Sequence, residues 1–473
     1  MTQSRASRPG VRLRNPFSHR RITMADEYDL LVIGAGMAGI AAATKCSSQG
    51  WRVAVVDALP YGGTCALRGC DPKKILRRGA EIIGAANLLR GKGIDDAGLR
   101  INWADLMKHK HGFTDPIPQN MEDDLHAHAV TTLHGVANFA DRTHIDVDGT
   151  TYEANRILIA TGARPRELDF PGQEHLIDST SFLNLDNLPS RIVFVGGGFV
   201  SFEFAHIAAR AGSSPIIIDR GHTPLKHFDP DLVELLLVRG VDAGVAVQRD
   251  TTITRVTKTS TGFRIEIDHD GTPATIDADL VVHGAGRTPD LSRLNLDAGE
   301  VAYSTQGVKV AGHLQSTTNP HVYSAGDSAD TPGMPLTPVA VFEAKVAASN
   351  MLKSGTTVPD YTAIPTAVFT IPELVRIGML EQDAKDNGLD VDMRFTDTSR
   401  WYSNYRTGET AGATKILVDK STDRIVGAHL FGHDYAEVAN TISLAMKYGL
   451  TTKQIKSTTA TYPSTGSDLA SML

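Results

Sequence analysis

Cysteine is scarce in this chain: Cys46, Cys65 and Cys70 are the only three in 473 residues. A secreted scaffold held by disulfides would need more. Long apolar runs are missing too. None approaches the roughly 20 residues that cross a bilayer, so a soluble, cytoplasmic protein without a membrane partner is expected. Positive charge is in deficit, with 47 Lys and Arg against 54 Asp and Glu and a net charge of −7. That argues against a nucleic-acid partner, because phosphate binding calls for clustered basic surface. Repeats and low-complexity tracts are lacking outside the N-terminal arm, and no metal-ligand set is assigned.

What is present suits an α/β protein with several cores: 41% hydrophobic residues and 43 glycines. At roughly 150 residues per domain the length suggests about three domains. Residues 1–23 stand apart, carrying Arg5, Arg8, Arg12, Arg14, Arg20 and Arg21 without Asp or Glu. This resembles a transit peptide or a disordered basic arm. The favoured explanation is a misassigned start, since Met24 leads directly into the first strand. Without those six arginines the charge goes from −7 to −13.

Tyr28 to Gly39 reads as a buried strand and a glycine-rich turn, followed by a helix over Ile40 to Ser48 and a strand over Arg52 to Asp57. A second such βαβ unit starts at Arg191 and ends at Asp219, which implies two nucleotide-binding domains. Ala127 to Val147 suggests a small sheet inside the first domain. Arg156 to Gly162, Asp279 to Arg287 and His321 to Asp327 are further strand-and-turn segments. From Tyr361 the texture changes to alternating strands (Thr414 to Val418, Ile425 to Leu430) and a helix over Tyr435 to Tyr448, an α+β tail.

Gly34, Gly36 and Gly39 give the full GxGxxG spacing, which lets backbone approach a pyrophosphate at a helix N-terminus. Asp57 ends the next strand, where an acid holds ribose hydroxyls. In the second turn Gly196 and Gly198 are followed by Ser201, small enough to stand for the third glycine. Asp219 there suits NADH, whereas Arg220 and Lys226 suit a 2′-phosphate; NADPH is favoured and NADH remains possible. Gly62 to Lys73, GGTCALRGCDPK, is the most specific segment. A structural Cys65–Cys70 bridge would close a short loop worth only on the order of 2 kcal/mol. A redox pair explains better why it opens a helix, where the dipole favours thiolate. Cys46 is expected to be a small buried hydrophobe.

The motifs GAGMAG, GGTCALRGCDPKK, ATGARP, GGGFVSFE, GAGRTPD, SAGD, LTPVAVFEA and YTAIPTAVFTIPE, in this order, resemble the class I pyridine nucleotide–disulfide oxidoreductases. That family includes glutathione reductase, dihydrolipoamide dehydrogenase and mercuric reductase. The resemblance runs from Glu27 to Leu473. It implies FAD as cofactor, a homodimer, Cys70 as the thiolate against the flavin and Cys65 as the interchange thiol. It also implies Lys73 near the flavin, paired with Glu203, and Phe199 as an aromatic gate for nicotinamide. Asp327 would bind the ribityl chain, and Thr337, Pro338, Val339 and Ala340 would run past the ring. Gly63, Thr64, Thr161, Gly162, Gly286 and Gly326 lie in the same cofactor turns.

The resemblance breaks at the C-terminus. The family's disulfide reducers carry His-Pro-Thr-x-x-Glu, whose histidine serves the partner's interchange thiol. Here Tyr462-Pro463-Ser464-Thr465-Gly466-Ser467 replaces it, followed by Asp468. A phenol titrating near about 10 can donate but rarely accepts a proton at pH 7, unlike an imidazole near about 6.5. Met37 and Thr44 replace residues that contact glutathione in glutathione reductase. Mercuric reductase shares the tyrosine but needs a further C-terminal cysteine pair, and nothing after Cys70 is cysteine.

The expected fold is α/β, with two Rossmann-like domains and a C-terminal α+β dimerisation domain. The FAD part spans 24–161 and 285–350, the NAD(P) part 162–284 and the dimerisation part 351–473. The expected reaction passes electrons from NAD(P)H through FAD and Cys65–Cys70 to a small acceptor: an unusual disulfide or persulfide, a metal ion or a quinone. The alternatives are a quinone or dye reductase or transhydrogenase that bypasses the disulfide, and a flavin redox sensor of low turnover.

Overall fold

The computed structural model describes residues 26–473. Leu30, Leu31, Val32, Val53, Val55, Ile157, Leu158 and Ile159 are all but inaccessible. Strands so uniformly apolar must be covered on both faces, as in a parallel sheet between helices. Asp26–Ile33 accordingly pairs in parallel with Val53–Asp57 on one side and with Thr150–Ile159 on the other. Met37–Ser47 packs on this sheet through Ala38, Ala42, Ala43 and Cys46.

The expected small sheet within 127–147 is not separate. Val130–His134 joins Val53–Asp57 in parallel. Ala137–Phe139 and His144–Val147 continue the far side of the same seven-stranded sheet. Thr150–Ile159 makes this possible, being ten residues long. Its first half pairs antiparallel with His144–Val147, and its last residues pair in parallel with Val322–Ser324. That second pairing brings the distant SAGD turn beside the first glycine turn.

The second unit is a four-stranded parallel sheet of Ala246–Gln248, Ser214–Ile218, Arg191–Val195 and Leu280–His283, in that order. A three-stranded antiparallel sheet over Thr251–Ala278 was not anticipated. Its second hairpin turns at Asp270 and Gly271, both at positive φ (48° and 79°), the conformation an Asp-Gly pair favours. The tail is a five-stranded antiparallel sheet over Pro365–Gly432. Helix Tyr435–Lys447 covers it with Tyr435, Val438, Ala439, Ile442 and Ala445, the stripe of one helical face. Among the described residues no helix is long and apolar enough to cross a membrane.

Two ion-pair groups lock the tail to the second nucleotide unit. Lys415, 3% exposed, reaches Asp229 at 3.0 Å, Asp231 at 2.7 Å and Glu381 at 3.1 Å. Burial alone would lower the ammonium, but hydrogen bonds to Asp231 and Asp229 hold it above its usual range. Arg239 meets Glu409 at 2.9 Å. Removing the cation from a buried group leaves its carboxylates uncompensated, typically at a cost of about 3–5 kcal/mol. Lys415→Met is therefore expected to lower stability by about that amount, read as a shift of the urea unfolding midpoint.

Candidate active site

The cysteine segment enters from Val53–Asp57 through a turn that requires glycine. Gly62 and Gly63 have φ of 123° and 65°, and a Cβ on Gly63 would lie 2.5 Å from Gly36 Cα. The cysteine loop thus rests backbone to backbone on the first glycine turn. Thr64–Arg68 forms a single π-helical turn, and the following helix is Cys70–Leu88. Only Cys70 opens that helix; Cys65 lies in the turn before it, which corrects the expectation that the pair does so together.

Both cysteines are free thiols, and their electrostatics differ. The hydrogen bond donated by Cys65 is the main cause that draws Cys70 down to about 6; Lys73 and Thr337 assist, while burial and Glu203 oppose. The same bond, with burial, pushes Cys65 far above the usual thiol range. Cys70 Sγ also lies 3.8 Å from Thr337 Oγ1, at the start of helix Thr337–Lys353. The pair therefore holds one thiolate near neutral pH, on Cys70. Cys46, by contrast, is pushed up to about 12 by burial and is inert.

Lys73 sits 2.8 Å from Glu203, with side chains 9% and 3% exposed. Burial would raise Glu203, but Lys73 and Lys74 hold it below the usual carboxylate range. Glu203 lies on helix Phe199–Arg210 and its Oε1 also accepts the Phe369 N–H at 3.1 Å. Lys73 Nζ stands 5.3 Å from the Phe199 ring centroid, and that ring is 46% exposed.

The first glycine turn fits a flavin dinucleotide. A Cβ on Gly39 would lie 1.9 Å from Gly34 O, so the helix can reach the turn only without one. Asp57 takes the Ala35 N–H at 2.7 Å and the Leu59 N–H at 2.8 Å, which fixes that turn. Thr161 Oγ1 is buried without a hydrogen-bond partner among the described residues, as a group that serves a bound cofactor would be, and Gly162 beside it has φ 67°. In the SAGD turn Gly326 has φ 73°. Asp327 is raised by burial and partly offset by Arg287.

Two contributors escaped the sequence reading. Glu343, 1% exposed, accepts the Gly326 N–H at 2.7 Å and hydrogen bonds from Thr331 and Tyr361 at 2.7 Å each; it shapes the SAGD turn. Arg287, depressed by burial, faces Asp327. Both lie inside quoted motifs, but only their burial marks them out.

In the second glycine turn Gly196 has φ 98°, and a Cβ there would meet Ala285 Cα at 2.5 Å. Ser201 is fully buried. It fits in the third-glycine position because its Oγ occupies the room a Cβ on Gly284 would need, 2.0 Å away. Gly198 approaches Gly284 O, and Gly286 has φ 104°. Asp219 points back at Gly197, while Arg220 and Lys226 are exposed.

Tyr462 is 79% exposed, so it is no core residue. Among the described residues no hydrogen bond is made to its hydroxyl, and the residues that follow it are engaged with one another or with Ser403. Ser467 is bonded back to Ser464 at 2.6 Å, and Asp468 accepts a hydrogen bond from Ser403.

Residues 28–344 match the pyridine nucleotide-disulphide oxidoreductase family, and 364–472 match its dimerisation domain. The chain belongs to this family. It is similar to mercuric reductase of Staphylococcus aureus, 30% identical over 92% of this chain and 80% of that protein. Glutathione reductase of Nostoc sp. is 29% identical over 95% of this chain and 100% of that protein. Among solved structures, the HOCl-induced flavoprotein disulfide reductase RclA from Escherichia coli superposes with a TM-score of 0.84 at 25% identity, covering 94% of this chain and 99% of that one. A Cu(II) complex of the same protein gives 0.85. The family is FAD-dependent and uses NAD(P)H, so this chain is an enzyme of that type, and its dimerisation domain supports a homodimer.

Two outcomes follow from this geometry. In the reduced protein, thiolate absorbance in the ultraviolet should titrate with one midpoint near 6, and Cys65→Ala should move it upward by about one unit or more. Gly284→Ala should weaken NAD(P)H binding by forcing Ser201 outward, and the double variant with Ser201→Gly should recover it, as measured by nicotinamide fluorescence titration.

Proposed function

We propose that this enzyme carries electrons from NADPH, by way of FAD, to Cys70 and Cys65 and delivers them to a soft or borderline metal ion. The FAD part would comprise 24–161 and 285–350, the NAD(P) part 162–284 and the dimerisation part 351–473, in a cytoplasmic protein. FAD, when bound, supplies the two-electron relay between nicotinamide and disulfide. Phe199 would gate the nicotinamide, and Lys73, held by Glu203, would stand at the flavin. NADPH is favoured over NADH because Arg220 and Lys226 are both exposed beside the second turn.

The observation that carries the choice of acceptor is a thiolate and a thiol side by side, read together with Tyr462 and Ser467 standing where the family's disulfide reducers have histidine and glutamate. Reduction of a disulfide acceptor expels a thiolate that needs a proton. A metal ion takes electrons with no leaving group, so loss of the histidine costs it little. Conversion of the Cys70 thiolate and the Cys65 thiol to a disulfide releases two electrons and one proton, and paired sulfurs suit soft ions. Relatives named mercuric reductase and a neighbour solved as a Cu(II) complex agree with this reading. The mercuric reductase route through a second cysteine pair is not open to a chain without cysteine after Cys70.

A second reading keeps an unusual disulfide or persulfide as acceptor, with Tyr462 as the proton donor; its exposed hydroxyl favours this. An acceptor screen with NADPH and NADH separates the two. Metal-ion reduction is expected to be lost in Cys65→Ser and unchanged in Tyr462→Phe. A rate falling by about 10²–10⁴ in Tyr462→Phe with a disulfide, and no turnover with metal ions, would establish the second reading instead. Turnover of quinones that survives Cys65→Ser would point to bypass of the cysteines.

A further inference from the structure

Arg164, Arg166 and Arg287 stand where the two nucleotide-binding parts are joined. Strand Ala163–Pro165 pairs antiparallel with strand Arg287–Pro289, and Arg166 follows the first of them. Arg164 meets Glu167 at 3.3 Å and Asp290 at 3.8 Å. Arg287 donates to Ala163 O and faces Asp327. Both are committed, and Arg164 occupies Glu167 and Asp290. Arg166 is different. Among the described residues it bonds through its backbone alone: its N–H donates to Gly286 O at 3.1 Å, and its carbonyl oxygen lies 2.8 Å from His283 Nε2. These two contacts fix where the side chain starts. The side chain is exposed and lies across Gly286. A Cβ on that glycine would be 3.8 Å from Cζ, 3.8 Å from Nη2 and 3.9 Å from Nε. Three neighbouring atoms of one plane are that far and nearly equally distant only from a point above the plane, so the guanidinium turns its face to Gly286. Its N–H groups lie in the plane and are left open to an acceptor.

Residues 284–286 pack directly on the second glycine turn. A Cβ on Gly196 would meet Ala285 Cα at 2.5 Å, and one on Gly198 would meet Gly284 O at 3.2 Å. That turn opens helix Phe199–Arg210, whose first turn holds no acidic residue, and there backbone N–H groups and the helix dipole favour a diphosphate. Asp219 brings its carboxylate against Gly197, so a diphosphate in the turn meets one negative charge that a nearby cation offsets. We propose that Arg166 is a binding residue for the diphosphate of the nicotinamide dinucleotide, laid over Gly286 so that its N–H edge meets a phosphate oxygen. Arg220 and Lys226 suit the 2′-phosphate that NADPH alone carries. Arg166 serves the phosphates that NADPH and NADH share, and so adds affinity without choosing between them.

The proposal rests on the reading of the second turn as the dinucleotide site. It is tested by calorimetric titration of FAD-loaded wild type, R166M and R166K with NADP⁺, NAD⁺ and 2′-AMP, none of which reduces the flavin. R166M should bind NADP⁺ and NAD⁺ each about tenfold more weakly than wild type, the lower end for a hydrogen bond to a charged group. R166K, which keeps the charge and loses the planar fork, should fall between them. The gap between wild type and R166M should narrow as salt rises, because the guanidinium is exposed. 2′-AMP has no diphosphate, so its affinity should be the same in all three proteins. NADP⁺ held as tightly by R166M as by wild type would overturn the proposal. An equal loss of 2′-AMP affinity would do so too, since it marks a disturbed domain rather than a lost contact. Wild type that takes up none of the three ligands would remove the reading of the second turn itself, and this proposal with it.

Discussion

The carboxylate of Glu203 is the joint on which the active site depends. It is 2% exposed and receives Lys73 from the cysteine helix and the Phe369 N–H from just past the first strand of the tail sheet. An unpaired buried carboxylate costs about several kcal/mol, so helix Phe199–Arg210, helix Cys70–Leu88 and the segment around Phe369 are held to one arrangement. Arg77 and Arg210 secure the same segment, donating to Phe369 O and Ile371 O at 2.9 Å each. The charge beside the cysteines is thus fixed by three pieces of chain that are far apart in sequence.

That joint explains how two adjacent sulfurs come to differ. Cys70 opens a helix, has Lys73 close by and takes a hydrogen bond from Cys65; Cys65 has burial and a neighbouring negative charge against it. In the proposed function one sulfur would face a flavin and the other an acceptor, a difference set by environment rather than residue type. Where the family's disulfide reducers carry histidine and glutamate, this chain has Tyr462 and Ser467. Ser467 turns inward to Ser464, and Asp468 is engaged by Ser403. These replacements are what favour, in the function proposed above, an acceptor that needs no proton delivered to a leaving group.

Much of the fold was legible because its signals are local. The helix after GAGMAG begins at Met37 rather than Ile40, a shift at its end only, and the tail helix runs Tyr435–Lys447, close to expectation. The misreading of 127–147 has a different origin. A strand's neighbours are chosen by non-local pairing, and Thr150–Ile159 is long enough to pair with two strands along one edge. The sheet over Thr251–Ala278 did carry a local signal in Asp270–Gly271, which went unused.

By itself the sequence determined the residue types that the chemistry cannot do without. These are glycines where a Cβ would strike backbone, an acid at the end of the strand after the turn, and two cysteines spaced for a redox loop. Those requirements are steric or covalent and act over a few residues. Only the tertiary structure decided which sulfur carries the charge, which lysine stands closer to Glu203, and that Glu343 and Arg287 belong to the SAGD turn. These depend on burial and on partners such as Lys73 with Glu203 or Cys70 with Thr337, and a charge in low dielectric is set by neighbours in space rather than along the chain.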